Sequence, residues 1–230
     1  MSNYDINSNP ALVRRMIENE KKANSKYYEK YPDSLIPLFE QELRELGYEF
    51  EVPSQIKGFL PEREKIISPI ATKYYREAKS DRDKSYFVCL ITCRGDDEII
   101  KELIEDFQKT NTENFLREMI GNQLRKAKSP KFIPDYLKII QEPTYGAVIG
   151  HFTDLLASLK VEEAIPIFIK MLDEEKLRTH AICALGDYKR EELRPYFERF
   201  ENDKNSYWRK YARAALKKLE KQLEKRKNSS

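Results

Sequence analysis

The 230-residue chain is poor in the residues on which loops, disulfides and metal sites depend, with seven glycines, three cysteines and two histidines. So few glycines argue against long loops and β-hairpins. An odd and sparse set of cysteines argues against a disulfide framework and suits a reducing compartment. No apolar run approaches the roughly 18 residues of a membrane span, and the polar start lacks the pattern of a signal peptide. We therefore expect a cytoplasmic protein with no membrane partner.

Charge is abundant but nearly balanced, with 35 % charged residues and a net charge of +3. The segment from Arg209 to Lys227 is an exception, because its nine Lys or Arg and two Glu give it a net charge of +7. Such a basic end suits contact with phosphate or an acidic partner, or a solvated capping helix, and we favour the capping helix. A net charge of +3 does not by itself indicate nucleic acid.

A proline recurs about every 32 residues, each time just inside a helical apolar run. The prolines are Pro37, Pro69, Pro134, Pro166 and Pro195, at separations of 32, 65, 32 and 29 residues. The missing step falls near Lys101, where Ile99 and Ile100 keep the apolar pattern. A period in this range is typical of stacked helix pairs. A proline in the first turn of a helix removes no intrahelical hydrogen bond.

The spacing predicts a two-part chain of helices. Residues 1–60 are expected to form an N-terminal helical cap with an irregular segment at 48–61, and residues 61–230 one continuous repeat array. In the array, first helices at about 81–94, 113–127, 145–158, 176–187 and 206–226 alternate with second helices. The second helices are expected at about 62–78, 97–109, 130–141, 162–173 and 190–201. Short connections make successive helices antiparallel neighbours.

Two first-helix segments, LRTHAICALG (177–186) and YWRKYARAAL (207–216), resemble the arginine- and alanine-containing helices of HEAT repeats. The segment EEAIPIFIKML (162–172) resembles the matching second helix. Asp203 and Arg209 resemble the Asp–Arg pair that bridges turns in such repeats, and Asp173 with Arg178 is a shifted version. The closest resemblance is to the bacterial HEAT-like, PBS-lyase-type family. It implies an all-α, right-handed solenoid of antiparallel helix pairs that acts as a binding scaffold, with no catalytic residues to transfer.

The sequence offers little chemistry of its own. It has no Gly-rich phosphate loop, no Gly-x-Ser-x-Gly and no His-Glu-x-x-His. Cys89 and Cys93 share a helix face but lack two further zinc ligands, so we expect buried apolar roles for them. His151 and His180 are 29 residues apart and occupy equivalent repeat positions. They suit a pH-responsive pair or half a metal site, but we favour structural roles and expect no metal or cofactor.

The resulting hypothesis is a non-enzymatic scaffold that binds a protein or peptide on its concave surface, which the resemblance assigns to the second helices. Its candidate binding residues are Lys101, Glu105, Lys138, Lys170, Arg194, Arg199 and Trp208. The alternative is a nucleic-acid-binding HEAT protein of the alkylated-DNA glycosylase type, which is similar in length. That class needs a strongly basic groove and a catalytic carboxylate, and no matching motif is present. A chromophore lyase or chaperone role has no support beyond the fold.

Overall fold

The computed structural model describes residues 10–109 and 111–227, and in this part of the chain it is all-helical. The α-helices here are α1 (Pro10–Lys30), α2 (Ile36–Glu45), α3 (Leu60–Glu77), α4 (Asp81–Val88), α5 (Asp97–Gln108), α6 (Asn114–Ala127), α7 (Ile133–Ile140), α8 (Gly150–Ser158), α9 (Ile165–Met171), α10 (Arg178–Tyr188), α11 (Arg194–Glu201) and α12 (Ser206–Lys227). The prediction of an all-α chain is confirmed. Among the described helices, none combines the length and the apolar character that crossing a membrane requires.

The contacts divide the chain into two compact units, with the division between Thr92 and Cys93. The expected end of the cap, residue 60, falls inside the first unit, at the start of α3. The irregular segment at 48–61 contains one short 3-10 helix, Pro53–Phe59. The first nine residues of the predicted cap lie outside the described residues. A continuous array from residue 61 onward stays a prediction.

The first unit, with α1 to α4, has a core rich in aromatic side chains. Phe39 and Phe87 are fully buried, and their ring centroids lie 5.4 Å apart in an edge-on arrangement. Tyr74 stacks on Phe87 at 5.6 Å. Pro69 lies in the interior of α3 rather than in its first turn. The expectation that every recurring proline opens a helix is therefore wrong at this position.

The second unit, with α5 to α12, repeats one pattern of buried positions in its second helices α5, α7, α9 and α11. The sets are Ile99, Leu103, Asp106 and Phe107; Phe132, Tyr136, Ile139 and Ile140; Ala164, Phe168, Met171 and Leu172; and Leu193, Phe197 and Phe200. In α7, α9 and α11 the recurring proline is the second residue of the helix, as predicted. This alignment places Lys101 where the other second helices carry proline.

The connections between these helices also repeat. Lys128, Lys160 and Lys189 each follow a first helix with a positive φ between 51° and 58°. A left-handed residue at this position ends a helix by satisfying its last carbonyls. Each lysine is followed within two residues by a short 3-10 turn that leads into the next second helix. Each second helix then packs on the first helix that follows it, and α6, α8, α10 and α12 pack on one another in that order.

Candidate functional site

Four of the predicted binding residues occupy one repeat position. Glu105, Lys138, Lys170 and Arg199 each lie four residues after Lys101 or its equivalent proline, on α5, α7, α9 and α11. All four are exposed. We call this set the charge row. Its order along the chain is one acid followed by three bases.

The members of the charge row differ in how they are held. Arg199 donates from Nη2 to Asp173 Oδ1 at 2.6 Å, and Glu105 lies 3.9 Å from the Lys101 ammonium. Lys138 and Lys170 form no ion pair with any described residue. Because ion pairs between exposed side chains contribute less than about 1 kcal/mol, all four charges are available to a partner at small cost.

Two predicted residues lie apart from this row. Arg194 donates to both carboxylate oxygens of Glu191, at 2.6 and 3.2 Å. The bond lowers the pKa of Glu191 and raises the pKa of Arg194. Trp208 is partly buried in α12, with the Arg178 guanidinium 4.1 Å from its ring centroid. Arg194 is therefore occupied within its own turn, and Trp208 belongs to the packing between α10 and α12.

The predicted Asp203–Arg209 pair is in contact, but through the main chain. Arg209 Nη1 donates to the carbonyl of Asp203 at 2.5 Å, while the Asp203 carboxylate accepts from the backbone N–H of Asn205 at 2.7 Å. Arg178 likewise donates to the Asp173 carbonyl at 3.3 Å. The carboxylate of Asp173 is therefore free of Arg178 and binds Arg199 in the charge row.

A more regular arginine contact was missed by sequence reasoning. The carbonyl at the last buried position of a second helix accepts a hydrogen bond from the Nε of an arginine in the following first helix. The bonds are Arg117 to Phe107 at 2.9 Å, Arg178 to Leu172 at 2.6 Å and Arg213 to Glu201 at 3.0 Å. These arginines satisfy carbonyls at helix ends that have no intrahelical partner. Spacing concealed the regularity, since each arginine stands at a different distance from its acceptor.

The two histidines occupy equivalent positions, and each packs on a glycine of the preceding first helix. A Cβ placed on Gly150 would be 2.5 Å from His180 Cε1, and one on Gly121 would be 2.9 Å from His151 Cδ2. His151 also lies 2.7 Å from Glu118, between Nε2 and Oε2. Gly121 and Gly150 are 29 residues apart, as the histidines are. That shared step was a readable signal of close helix packing.

The remaining titratable groups of this face do not form a reaction centre. Burial raises the pKa of Asp154, although its edge is open to solvent, and the nearby His180 and Arg125 partly offset this effect. Burial raises the pKa of the Cys93 thiol to about 12 and that of Cys183 to about 11. Within the described residues, no group of three His, Cys, Asp or Glu side chains is arranged to hold a metal ion.

In the first unit, sequence reasoning missed a buried carboxylate. Asp83 Oδ1 accepts hydrogen bonds from Tyr27 at 2.9 Å and Ser34 at 3.0 Å, and Oδ2 accepts from the Leu35 N–H at 2.8 Å. Burial, together with the hydrogen bond to Asp83, raises the pKa of Tyr27. Asp83 lines a cavity of about 310 Å³ but is already fully engaged in joining α1, the following turn and α4. It therefore has a structural role.

Comparison with known proteins adds no relative: no family model, curated protein or solved structure matches this chain.

Proposed function

We propose that the second unit is an array of HEAT-like helix pairs, a right-handed α-solenoid, and that it is a non-enzymatic scaffold for a protein or peptide partner. The repeated buried positions, left-handed lysines and arginine–carbonyl bonds support the array. A scaffold of this kind binds through equivalent positions on successive repeats. The charge row is such a set, and it is the observation that carries the proposal.

The charges around the row favour a protein over nucleic acid. The bases Lys138, Lys170 and Arg199 stand beside the acids Asp173 and Glu198 on the same helices or the turns that end them. A nucleic-acid groove presents a continuous basic surface, because its affinity comes from neutralised phosphates. Mixed charge instead suits a protein partner, whose register it fixes through complementary pairs.

The test is partner capture with a charge-reversed row. Tagged protein is crosslinked in its own cells at low salt, and the captured proteins are identified and quantified by mass spectrometry. The variant Lys138→Glu/Lys170→Glu is expected to lose a stoichiometric partner that the original chain captures. The control is Lys126→Glu/Lys217→Glu, which makes the same charge change at exposed positions on first helices.

Three results would contradict the proposal. One is equal capture by the row variant and its control, and another is the absence of any stoichiometric protein. The third is recovery that disappears on nuclease treatment, which would transfer the assignment to the nucleic-acid alternative. Circular dichroism of both variants ensures that a loss of capture is not a loss of folding.

A further inference from the structure

We propose that the charge row recognises an extended peptide segment in which acidic side chains recur at every third residue. The inference rests on the proposed function of the second unit and narrows its partner class. It starts from the alignment of Lys138, Lys170 and Arg199, which share one repeat position on three consecutive second helices.

The distance between repeats sets the spacing that a partner must match. The first helices α6, α8, α10 and α12 pack directly on one another, and helices in direct contact lie about 8–10 Å apart. An extended chain rises about 3.3 Å per residue. Three residues of an extended partner therefore cover about one repeat step, and carboxylates three residues apart align with successive cations of the row.

The surroundings of the row favour an extended segment that also hydrogen-bonds through its backbone. Three residues beyond each row position, at the end of each second helix, the chain carries Gln108, Gln141, Asp173 and Asn202. Amide and carboxylate side chains can pair with peptide N–H and C=O groups. Asp173 and Asn202 also hold arginines, of which one is the row member Arg199. Arg199 is thereby oriented, while Lys138 and Lys170 keep their rotational freedom.

The row also has a direction, because its first member is an acid. Glu105 precedes the three bases in repeat order, so the complementary segment carries one basic residue followed or preceded by three acidic ones. Like charges placed opposite one another would be repulsive, and such repulsion is a source of specificity. The complementary peptide is therefore one lysine and three glutamates, each separated by two neutral residues.

The experiment compares two labelled peptides of identical composition by fluorescence anisotropy with the full chain. In the spaced peptide Lys-Gly-Ser-Glu-Gly-Ser-Glu-Gly-Ser-Glu the charges match the repeat step, and in the clustered peptide the three glutamates are adjacent. We expect the spaced peptide to bind about tenfold more tightly, from three to four exposed ion pairs. Added salt is expected to reduce the difference, because it screens exposed charges.

Variants locate the effect. Lys138→Glu/Lys170→Glu, and the milder Lys138→Gln/Lys170→Gln, are expected to remove the preference for the spaced peptide, whereas Lys126→Glu/Lys217→Glu keeps it. Equal affinity for the two peptides overturns the inference, as does a preference that survives in the row variants. Tighter binding of a single-stranded oligonucleotide at the same row also overturns it.

The two proposals fail in distinguishable ways. If a cellular protein is captured through the row but the two peptides bind equally, the scaffold function stands and the spacing rule is wrong. If neither a row-dependent partner nor peptide binding is found, both are wrong.

Discussion

The two units of the chain use different kinds of polar contact to hold their helices. In the first unit, buried carboxylates such as Asp83 and Glu40 accept hydrogen bonds from the tyrosines Tyr27 and Tyr28. In the second, arginine side chains bind main-chain carbonyls at the ends of helices. The first arrangement depends on specific pairs of side chains and does not recur at a fixed interval. The second needs only one side chain per contact and can therefore recur from repeat to repeat.

The largest effect is expected from removing the central carboxylate of the first unit. Asp83→Ala leaves the buried groups of Tyr27, Ser34 and Leu35 without an acceptor, which is expected to cost about 3 kcal/mol of unfolding free energy. Urea denaturation measures the loss, and hydrogen exchange of α1 and the following turn shows that it is local. The control Asp33→Ala alters an exposed carboxylate of the same cavity. Equal losses in the two variants would show that Asp83 has no special role.

Close helix approach in the second unit predicts the next largest effect. A Cβ on Gly186 would lie 2.8 Å from Ala215 Cβ, and Ala215 cannot rotate away. Gly186→Ala is therefore expected to cost about 2 kcal/mol, measured by denaturation followed through the fluorescence of Trp208. Adding Ala215→Gly should recover part of it.

A matched control lies in the first unit. A Cβ on Gly58 would meet no other atom within 4 Å, so Gly58→Ala should change stability by less than about 1 kcal/mol. A double variant no more stable than Gly186→Ala alone would show that the Ala215 contact is not the cause of the loss.

The arginine contacts predict a graded effect within the second unit. Arg117 is buried and donates to the carbonyls of Phe107 and Lys109, so Arg117→Ala should cost about 2 kcal/mol. Arg213 is exposed and makes the equivalent contact to Glu201, and its replacement should cost less than about 1 kcal/mol. Arg117→Lys should not restore stability, because one ammonium does not reproduce the planar guanidinium fork. Full rescue by lysine would refute a directional role.

The smallest effects are pH-dependent and opposite in sign in the two units. Hydrogen bonds from Lys73 and then Tyr74 lower the pKa of Glu42, so its contribution is present above the unfolded pKa of about 4.3 and is lost as pH falls through the folded value. Burial raises the pKa of Asp154, so its ionised form opposes folding at neutral pH.

Glu42→Gln should therefore be less stable than the original chain at pH 7, and Asp154→Asn more stable. Both differences should shrink when thermal unfolding is repeated near pH 3. A difference that is the same at the two pH values would exclude the ionised carboxylate as its source.

Sequence reasoning succeeded where a residue's role is set by local periodicity. The apolar spacing and Pro134, Pro166 and Pro195 located the helices of the second unit, because proline is tolerated only at a helix start unless packing compensates. Pro69 shows such compensation, since it lies inside α3. The three-way hydrogen bonding of Asp83 could not be predicted, because its partners are 48 to 56 residues away and nothing in their order marks them.

For the candidate site, the sequence indicated the charge row, since Lys138, Lys170 and Arg199 follow their prolines by equal intervals. It did not indicate that Arg194 is held by Glu191 or that Trp208 packs under Arg178. Such pairings depend on side-chain conformations that spacing does not determine.

The arginine–carbonyl bonds have a consequence for how this chain can diverge. Their acceptors are the carbonyls of a phenylalanine, a leucine and a glutamate, so the residue that supplies the acceptor is free to be replaced. A lineage can therefore exchange that side chain without a compensating change elsewhere, whereas the tyrosine–carboxylate pairs of the first unit must change together. Sequences of related chains are thus expected to drift faster across the second unit than their architecture does.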